Sequence, residues 1–267
     1  MDMIASLRRH WPEYLIEGWA LGVFMVSAGV VTVLFEHPGS ALNLAIRDGN
    51  LRRALIGLGM GLTAIGLIYS PWGQRSGAHM NPAVTLTFWR LGKIAKWDAV
   101  FYALSQFLGG TLGVLLVKVL MGDAFSAPPV SYIVTTPGAD GAATAFIAEL
   151  VISAVLMSVV LLVSNSKHAR WTGLCAGSLV ALYITFEAPM SGMSINPARS
   201  FASAWPAGLW TGFWIYLTAP ILGMQMAASA HLLRREAARA ACAKLHHPAS
   251  RRCIHCGQIP ANSGDIQ

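Results

Sequence analysis

The feature that most constrains the fold of this chain is a short motif that occurs twice. Residues 76–84 have the sequence SGAHMNPAV, and residues 191–200 have the sequence SGMSINPARS. Asn is a strong N-cap and Pro is favoured at the first helical position, so each Asn-Pro-Ala unit predicts the start of a helix. An isolated Asn-Pro pair would predict an ordinary helix start. Two copies in matched settings indicate a duplicated structural unit.

Long apolar stretches place this duplicated unit in a membrane. Hydrophobic residues make up 55% of the 267 residues, charged residues make up 12%, and the mean hydropathy is +0.53. A helix needs roughly 20 apolar residues to cross the hydrocarbon core of a bilayer. The first stretch has no small-residue cleavage site, so we expect a retained helix and not a signal peptide. Six stretches approach the required length: residues 14–35, 53–69, 99–120, 142–163, 171–186 and 212–233.

The two copies of the motif divide the apolar stretches into two similar halves. The halves cover about residues 11–120 and 142–233, and each has a carboxylate in its first apolar stretch, Glu17 and Glu149. Three spans in each half is an odd number, so the second copy enters the membrane from the opposite side. The sequence therefore predicts an inverted repeat.

The helices that begin at the two motifs are too short to cross a bilayer. Each runs for about three turns after Asn81 or Asn196, so each is expected to enter the membrane halfway and to line a water-filled cavity. We therefore predict an all-α membrane protein with six transmembrane helices plus two re-entrant half-helices. This channel domain would cover residues 1–233, followed by a basic, loosely ordered tail over residues 234–267 that contains Cys and His.

The net charge of +7 follows the pattern expected of a membrane topology, so we predict no nucleic-acid partner. The loop over residues 121–141 contains Asp123 and Asp140 and no Lys or Arg. If both termini lie in the cytoplasm, most basic clusters lie on the cytoplasmic side, and we expect the membrane to be the plasma (inner) membrane. The basic clusters are Arg8 and Arg9, Arg90 to Lys96, Lys167 and Arg170, and the tail; the exceptions are Arg47, Arg52 and Arg53.

The chemistry of the two half-helix starts points to a pore. Their positive dipole ends would meet near the middle of the bilayer, where cations are then disfavoured. The amides of Asn81 and Asn196 would donate hydrogen bonds to the oxygen of a passing water, which cannot then relay a proton. Arg199 would be costly beside lipid and is expected to face the aqueous lumen. These features predict a passive channel that conducts water and also small uncharged solutes. The channel would exclude protons and ions.

A secondary transporter is the alternative, since transporters are also built from inverted repeats with broken helices. Coupled transport requires a titratable or ion-coordinating group at the midplane, where this chain offers two Asn residues. An enzyme is not expected, because no nucleophile, base or metal set converges on the Asn-Pro-Ala units. No cofactor is predicted.

The paired motifs resemble those of the aquaporin, or major intrinsic protein, family, and the resemblance covers about residues 11–232. It implies a homotetramer with one pore in each subunit, and it implies that Glu17 and Glu149 hold the re-entrant loops. Its pore-motif residues are Asn81, Pro82, Ala83, Asn196, Pro197 and Ala198. Its pore-lining loop residues are Gly77, Ala78, His79, Gly192 and Ser194, although His79 could instead pack against its own loop.

The resemblance also implies a narrow ring that selects the solute. Ile184, Met193 and Arg199 occupy three of its positions, while the fourth is Met60 by similarity of MGLT to the family's FGLT and Gly61 by counting from the first motif. Water-specific members usually have an aromatic residue and a His in this ring. Ile184 cannot donate a hydrogen bond as His would, so glycerol, urea, ammonia and hydrogen peroxide stay within the predicted scope.

The tail contains a Cys-x-x-Cys pair in the sequence CAKLHHPASRRCIHCG. Cysteine and histidine in this arrangement can form a tetrahedral zinc site. A single pair is a weak signal, so we predict no resident metal. The weak candidate set is Cys253, Cys256, His246 and His247.

Overall fold

A computed structural model of the chain describes residues 2–233, 242–247 and 253–257. All regular secondary structure in these residues is helical. The main helices are α1 (Met3–Glu36), α2 (Gly49–Tyr69), α3 (Pro82–Arg90), α4 (Lys96–Met121), α5 (Gly141–Ser164), α6 (Thr172–Phe186), α7 (Pro197–Ala207) and α8 (Phe213–Leu233). Shorter helical segments are Ala41–Ala45, Pro71–Ser76, Asp123–Ser126, Ser131–Ile133, Ala169–Trp171 and Ala188–Ser191.

The six apolar stretches predicted to span the membrane each correspond to one of the long helices. Within the described residues, α1, α2, α4 and α5 are long and apolar enough to cross a bilayer by length and composition. Helix α6 has 15 residues and is extended at its start by the 3₁₀ turn Ala169–Trp171, while α8 has 21 residues. Helices α3 and α7 are the two short helices that begin at the Asn-Pro-Ala units.

Helix α1 begins at Met3 and not at Tyr14, where its apolar stretch starts. Its first turn is capped by Asp2, whose Oδ1 accepts a hydrogen bond from the Ala5 backbone at 2.7 Å. The added turns pack through polar contacts, since the Tyr14 hydroxyl donates to Asp98 at 2.6 Å and His10 lies 2.9 Å from the same carboxylate. Apolarity alone does not reveal such a segment, which explains the difference.

Small residues allow the long helices to approach at backbone distance. A Cβ added at Gly109 of α4 would lie 2.0 Å from the carbonyl oxygen of Gly18 in α1. In the second half, a Cβ at Gly223 of α8 would lie 2.2 Å from the carbonyl oxygen of Leu150 in α5. Close backbone packing of this kind is a main source of helix association in lipid. The α1–α4 and α5–α8 pairs therefore form matching contacts in the two halves.

We expect Gly109→Ala to destabilise the protein by about 1–3 kcal/mol, the usual cost of overpacking, because the new methyl group would force α1 away from α4. Gly66→Ala is the matched control, since nothing lies within 4 Å of a Cβ at that position and Ala favours a helix interior by about 1 kcal/mol. The midpoint of thermal unfolding in detergent measures both effects. Equal midpoints for the two variants would contradict the packing account.

Candidate functional site

The two half-helices begin as the Asn-Pro-Ala units predict. The side-chain oxygen of Asn81 accepts a hydrogen bond from the Ala83 backbone at 2.9 Å. The side-chain oxygen of Asn196 accepts from the backbones of Ala198 and Arg199 at 3.0 and 3.2 Å. In each case the next residue, Pro82 or Pro197, is the first residue of the helix. The motif residues therefore fix where α3 and α7 start and how their Asn side chains are oriented.

The N-termini of α3 and α7 meet through reciprocal hydrogen bonds. Asn81 Nδ2 donates to the carbonyl oxygen of Ile195 at 2.7 Å, and Asn196 Nδ2 donates to that of Met80 at 2.7 Å. An Asn amide carries two N–H donors, so each keeps one after this bond is made. Both Asn side chains line a central cavity of about 280 Å³. The remaining donors are therefore available at the middle of the cavity.

A buried carboxylate on α1 holds the loop before α3. Glu17 is fully buried and accepts hydrogen bonds from the Ser76 hydroxyl at 2.7 Å and from the backbones of His79 and Met80 at 3.1 and 2.7 Å. Gln106 Nε2 adds a fourth hydrogen bond at 2.9 Å. The carboxylate thus satisfies the donors of a loop that has no regular helix or strand partner.

The second half repeats this arrangement with Glu149 on α5. It is also fully buried and accepts from the Ser191 hydroxyl at 2.9 Å and from the backbones of Ser194 and Ile195 at 2.5 and 2.7 Å. The two carboxylates predicted to hold the re-entrant loops thus make the same three kinds of contact in the two halves.

Two tyrosines in the same network were missed by the sequence analysis. The Tyr102 hydroxyl donates to the carbonyl oxygen of Ser76 at 2.8 Å, and the Tyr216 hydroxyl donates to that of Ser191 at 2.6 Å. Each tyrosine lies on the last long helix of its half and is fully buried. The signal that could have found them is their equivalent placement in α4 and α8.

The loops before the half-helices have a backbone conformation that their residues disfavour. Ala78 and Met80 have φ values of 55° and 49°, and Met193 and Ile195 have values of 54° and 50°. Non-Gly residues with positive φ cost on the order of 1–3 kcal/mol each and persist only where the surroundings hold them. The carboxylate hydrogen bonds supply that support, so both loops adopt the same alternating backbone.

The predicted loop residues differ in how they meet the cavity. Ala78, His79, Gly192 and Ser194 line it. Gly77 instead ends the helix Pro71–Ser76 with a φ of 110°, and the Leu245 backbone donates to its carbonyl oxygen at 3.2 Å. We call the end of the cavity near His79 and Leu245 the tail-side mouth.

The opposite end, which we call the arginine-side mouth, is bordered by Ile56, Ile184 and Arg199. Ile56 and Ile184 line both the cavity and an outer recess, so they lie where the cavity opens. Met60 also lines the cavity, one helical turn from Ile56. A place in the ring would require Gly61 to face the cavity. It faces α6 instead, since a Cβ at this position would lie 2.6 Å from the carbonyl oxygen of Gly177. Ile56 was missed because family spacing points to residues 60 and 61.

Arg199 supplies a positive charge to this mouth. Its side chain lines the cavity, and its buried Nη1 has no hydrogen-bond partner among the described residues. Met193 lines the same cavity from the loop before α7. The corresponding position in α3, three residues after Asn81, is Val84, which also lines the cavity. The charge is therefore confined to one half.

Comparison with known proteins identifies the family. The family model described as major intrinsic protein matches residues 10–231. The chain belongs to this family. Aquaporin NIP1-1 of Arabidopsis thaliana is 38% identical over 228 residues, which cover 83% of this chain and 73% of the relative. Putative aquaporin NIP4-1 of the same plant is 32% identical over 198 residues, which cover 73% of this chain and 68% of the relative.

A solved structure has a similar fold. The aquaglyceroporin from Plasmodium falciparum superposes with a TM-score of 0.71 at 23% identity, over 85% of this chain and 98% of that protein. The likeness confirms the predicted fold of an all-α integral membrane protein with two half-helices. The resemblance inferred from the paired motifs is confirmed as well.

In this major intrinsic protein, two tail segments beyond the family match cover the tail-side mouth. His79 donates from Nε2 to the carbonyl oxygen of Ala243 at 2.5 Å and is only 3% exposed. His255 donates to the carbonyl oxygen of Ser76 at 3.1 Å. Burial lowers the pKa of His255 to about 4, and His79 adds to the decrease. Residues 242–247 and 253–257 of the tail therefore contact the channel domain, while the rest of the tail lies outside the described residues.

The tail gathers four metal-binding side chains, and the set differs from the predicted one. The ligand atoms of Cys242, His247, Cys253 and Cys256 all lie within 4.8 Å of one another. His246 is not among them, because its ring packs edge-on against Tyr69 with centroids 5.0 Å apart. Neighbouring side chains of a non-helical segment point in different directions, so only one of the two histidines reaches the cysteines.

Cys253 is the buried cysteine of this cluster. The hydrogen bond from Cys242, together with backbone N–H groups of Cys256 and His255, holds the pKa of Cys253 well below its usual range despite burial. The two sulfur atoms of Cys242 and Cys253 lie 3.4 Å apart. All four cysteines of the chain are free thiols.

Proposed function

We propose that the protein is a passive channel for water and small uncharged solutes that excludes protons and ions. The observation that carries the proposal is the pair of Asn81 and Asn196 amides that meet at the centre of the cavity. Membership of a family whose relatives here are named aquaporins supports it.

Proton exclusion follows from the direction of hydrogen bonds at this point. A water molecule between Asn81 and Asn196 accepts from the remaining amide N–H groups through its oxygen. Its own hydrogens then point outward, and it cannot accept a proton in line from its neighbours. The positive ends of α3 and α7 face the same place and raise the energy of any cation there.

The arginine-side mouth favours a scope beyond water. Arg199 offers hydrogen-bond donors to a solute oxygen, while Ile56, Ile184 and Met193 present apolar surface. A ring with one polar side suits an uncharged molecule that has both hydroxyl or amide groups and an apolar face, such as glycerol or urea. The solved structural neighbour is named an aquaglyceroporin, which agrees with this choice.

A coupled transporter is disfavoured by the groups at the centre of the cavity. Asn81 and Asn196 do not titrate. The buried carboxylates Glu17 and Glu149 each accept hydrogen bonds from three donors of the segment before the adjoining half-helix, and Glu17 accepts a fourth from Gln106. They are thus better explained as loop supports than as ion-coupling groups.

The placement of basic residues supports a cytoplasmic tail-side mouth, with both termini on that side of the plasma membrane.

A homotetramer with one pore in each subunit is part of the proposal. Leu104, Leu108 and Leu112 form an exposed stripe on α4 that would contact lipid or a neighbouring subunit. Native mass spectrometry of the detergent-purified protein tests the tetramer, and a monomer as the only species would contradict it.

Osmotic swelling and shrinking of proteoliposomes test the channel. We expect proteoliposomes to be more permeable than protein-free vesicles to water, glycerol and urea, and we expect these permeabilities to depend only weakly on temperature. A proton or sodium gradient should not change these rates. A steep temperature dependence or gradient-driven uptake would instead support a transporter.

A further inference from the structure

We propose that Cys242, His247, Cys253 and Cys256 bind one zinc ion, and that this ion holds residues 242–247 and 253–257 of the tail as a plug in the tail-side mouth. The plug rests on the proposed channel function, whereas zinc binding does not. The four residues lie outside the part of the chain that matches the family model.

The donor set fits zinc in composition and size. Three thiolates and one imidazole form one of the standard tetrahedral zinc sites, in which zinc–sulfur distances near 2.3 Å place two sulfur atoms about 3.8 Å apart. The Cys242 and Cys253 sulfur atoms are 3.4 Å apart, and His247 Nε2 lies 3.2 Å from the sulfur of Cys256. All four ligand atoms fall within 4.8 Å. They therefore surround a point that one ion can occupy.

The local backbone also has the form of a metal-binding turn. Residues 254–256 form a turn that the Gly257 backbone closes by donating to the carbonyl oxygen of Cys253 at 3.1 Å. This turn brings Cys253 and Cys256 to the same side, facing Cys242 and His247. A disulfide is the competing outcome for the two nearest thiols. Their proposed cytoplasmic location keeps them reduced and available to a metal.

A bound metal would stabilise the arrangement of the two tail segments. Residues 242–247 and 253–257 contain no helix or strand, so no regular backbone hydrogen-bond pattern joins them, and metal binding is a common source of fixed structure in such segments. One ion bound to both segments joins them into a single unit.

The unit joined by the four ligands is the one that covers the mouth. Ala243 and Leu245, which lie between Cys242 and His247 in the chain, are 0% and 6% exposed. Leu245 lines the central cavity, and Lys244 Nζ donates to the carbonyl oxygen of Gln74 at 2.9 Å. Loss of the metal would release the segment that carries Leu245 from the mouth. Zinc would therefore control access to the cavity from this side.

Metal analysis of the purified full-length protein tests the site directly. We expect about one zinc per chain, and cobalt in its place should give the visible absorption of a tetrahedral thiolate site. His247→Ala should lower the zinc affinity at least tenfold, while His246→Ala should retain zinc because that ring packs on Tyr69. Cys175→Ser is a second control on a thiol outside the cluster. Full-length protein without zinc, or equal zinc loss in the two His variants, would overturn the site.

Water permeability of proteoliposomes tests the plug. The full-chain double variant Cys253→Ser and Cys256→Ser should bind no zinc and conduct severalfold faster than the zinc-loaded protein, with unchanged size-exclusion elution and helix content. Leu245→Ser should conduct faster while it retains zinc. Equal permeability of the zinc-loaded protein and both variants would overturn the plug and leave the zinc site standing. If no form exceeds protein-free vesicles for any solute, the channel fails together with the plug, while zinc content still decides the site.

Discussion

Glu149→Gln is expected to destabilise the protein by on the order of 3 kcal/mol, because a charged acceptor that serves three donors is replaced by an amide. Glu149 accepts from the Ser191 hydroxyl and from the backbones of Ser194 and Ile195. A Gln side chain has one acceptor oxygen, and its NH₂ group would face an N–H donor in a fully buried site. At least one buried backbone donor then lacks a partner.

The same substitution should also reduce transport. The loop that Glu149 holds carries Met193 and Ile195 with positive φ and sets the position of Asn196. Without the carboxylate, fewer hydrogen bonds hold the strained backbone. The hydrogen bond from Asn196 Nδ2 to the carbonyl oxygen of Met80 in the first loop should therefore weaken. We expect a lower yield of monodisperse protein and lower water permeability for each folded molecule.

Thermal unfolding in detergent and size-exclusion elution measure the effect. Glu36→Gln is the matched control, since Glu36 is half-buried at the end of α1 and pairs with Arg52 at 3.2 Å. The Glu36 side chain keeps 26% of its surface exposed, and ion pairs that stay in contact with solvent contribute about 0–1 kcal/mol, so this control should unfold close to the wild-type midpoint. If Glu149→Gln is as stable as Glu36→Gln, the carboxylate does not hold the loop.

The parts of the fold that depend on local chemistry could be predicted from the sequence. Asn81 and Asn196 supply N-caps, and the Pro that follows each is favoured at the first helical position, so α3 and α7 begin where expected. The apolar stretches locate the long helices because lipid requires every backbone group to be satisfied within a helix. Both signals lie within a few residues of the structure that they determine.

The parts that depend on distant contacts could not be predicted in this way. The rotation of α2 about its axis decides that Ile56 and Met60 face the cavity while Gly61 faces α6. Counting residues from the first motif is uncertain by one position, which is too imprecise to predict this rotation. The positive φ of Met80 runs against its own preference, and its backbone N–H is held by Glu17 of another helix. The contact between His255 and Ser76 joins segments far apart in the chain, which no local pattern encodes.

The largest change in selectivity is expected from Arg199→Ala, which should let protons and small cations pass. A unit charge 4 Å from an ion contributes about 4 kcal/mol of repulsion at an effective dielectric of 20. Each 1.36 kcal/mol corresponds to about tenfold in rate, so the loss of even part of this barrier should raise proton permeability tenfold or more. Water carries no charge and should pass at a similar rate or faster, because a smaller side chain widens the mouth.

Arg53→Ala is the matched control for the loss of one positive charge. Arg53 borders the outer recess beyond the cavity and donates to the carbonyl oxygen of Thr185 at 2.9 Å. Its removal should leave proton exclusion unchanged, since it does not line the central passage. A pH-sensitive dye inside proteoliposomes under an imposed membrane potential measures the proton flux, with water permeability recorded on the same preparation.

The outcome also separates the two barriers of the proposed channel. Arg199 acts at one mouth, whereas Asn81 and Asn196 act at the centre through hydrogen-bond direction and the helix dipoles of α3 and α7. If the Arg199→Ala variant still excludes protons, proton exclusion depends on Asn81 and Asn196 alone. A second substitution, Asn196→Ala, should then make the channel permeable to protons. If Arg199→Ala leaks while water permeability is preserved, the one-sided charge is a barrier in its own right, which the Val84 position of the first half does not supply.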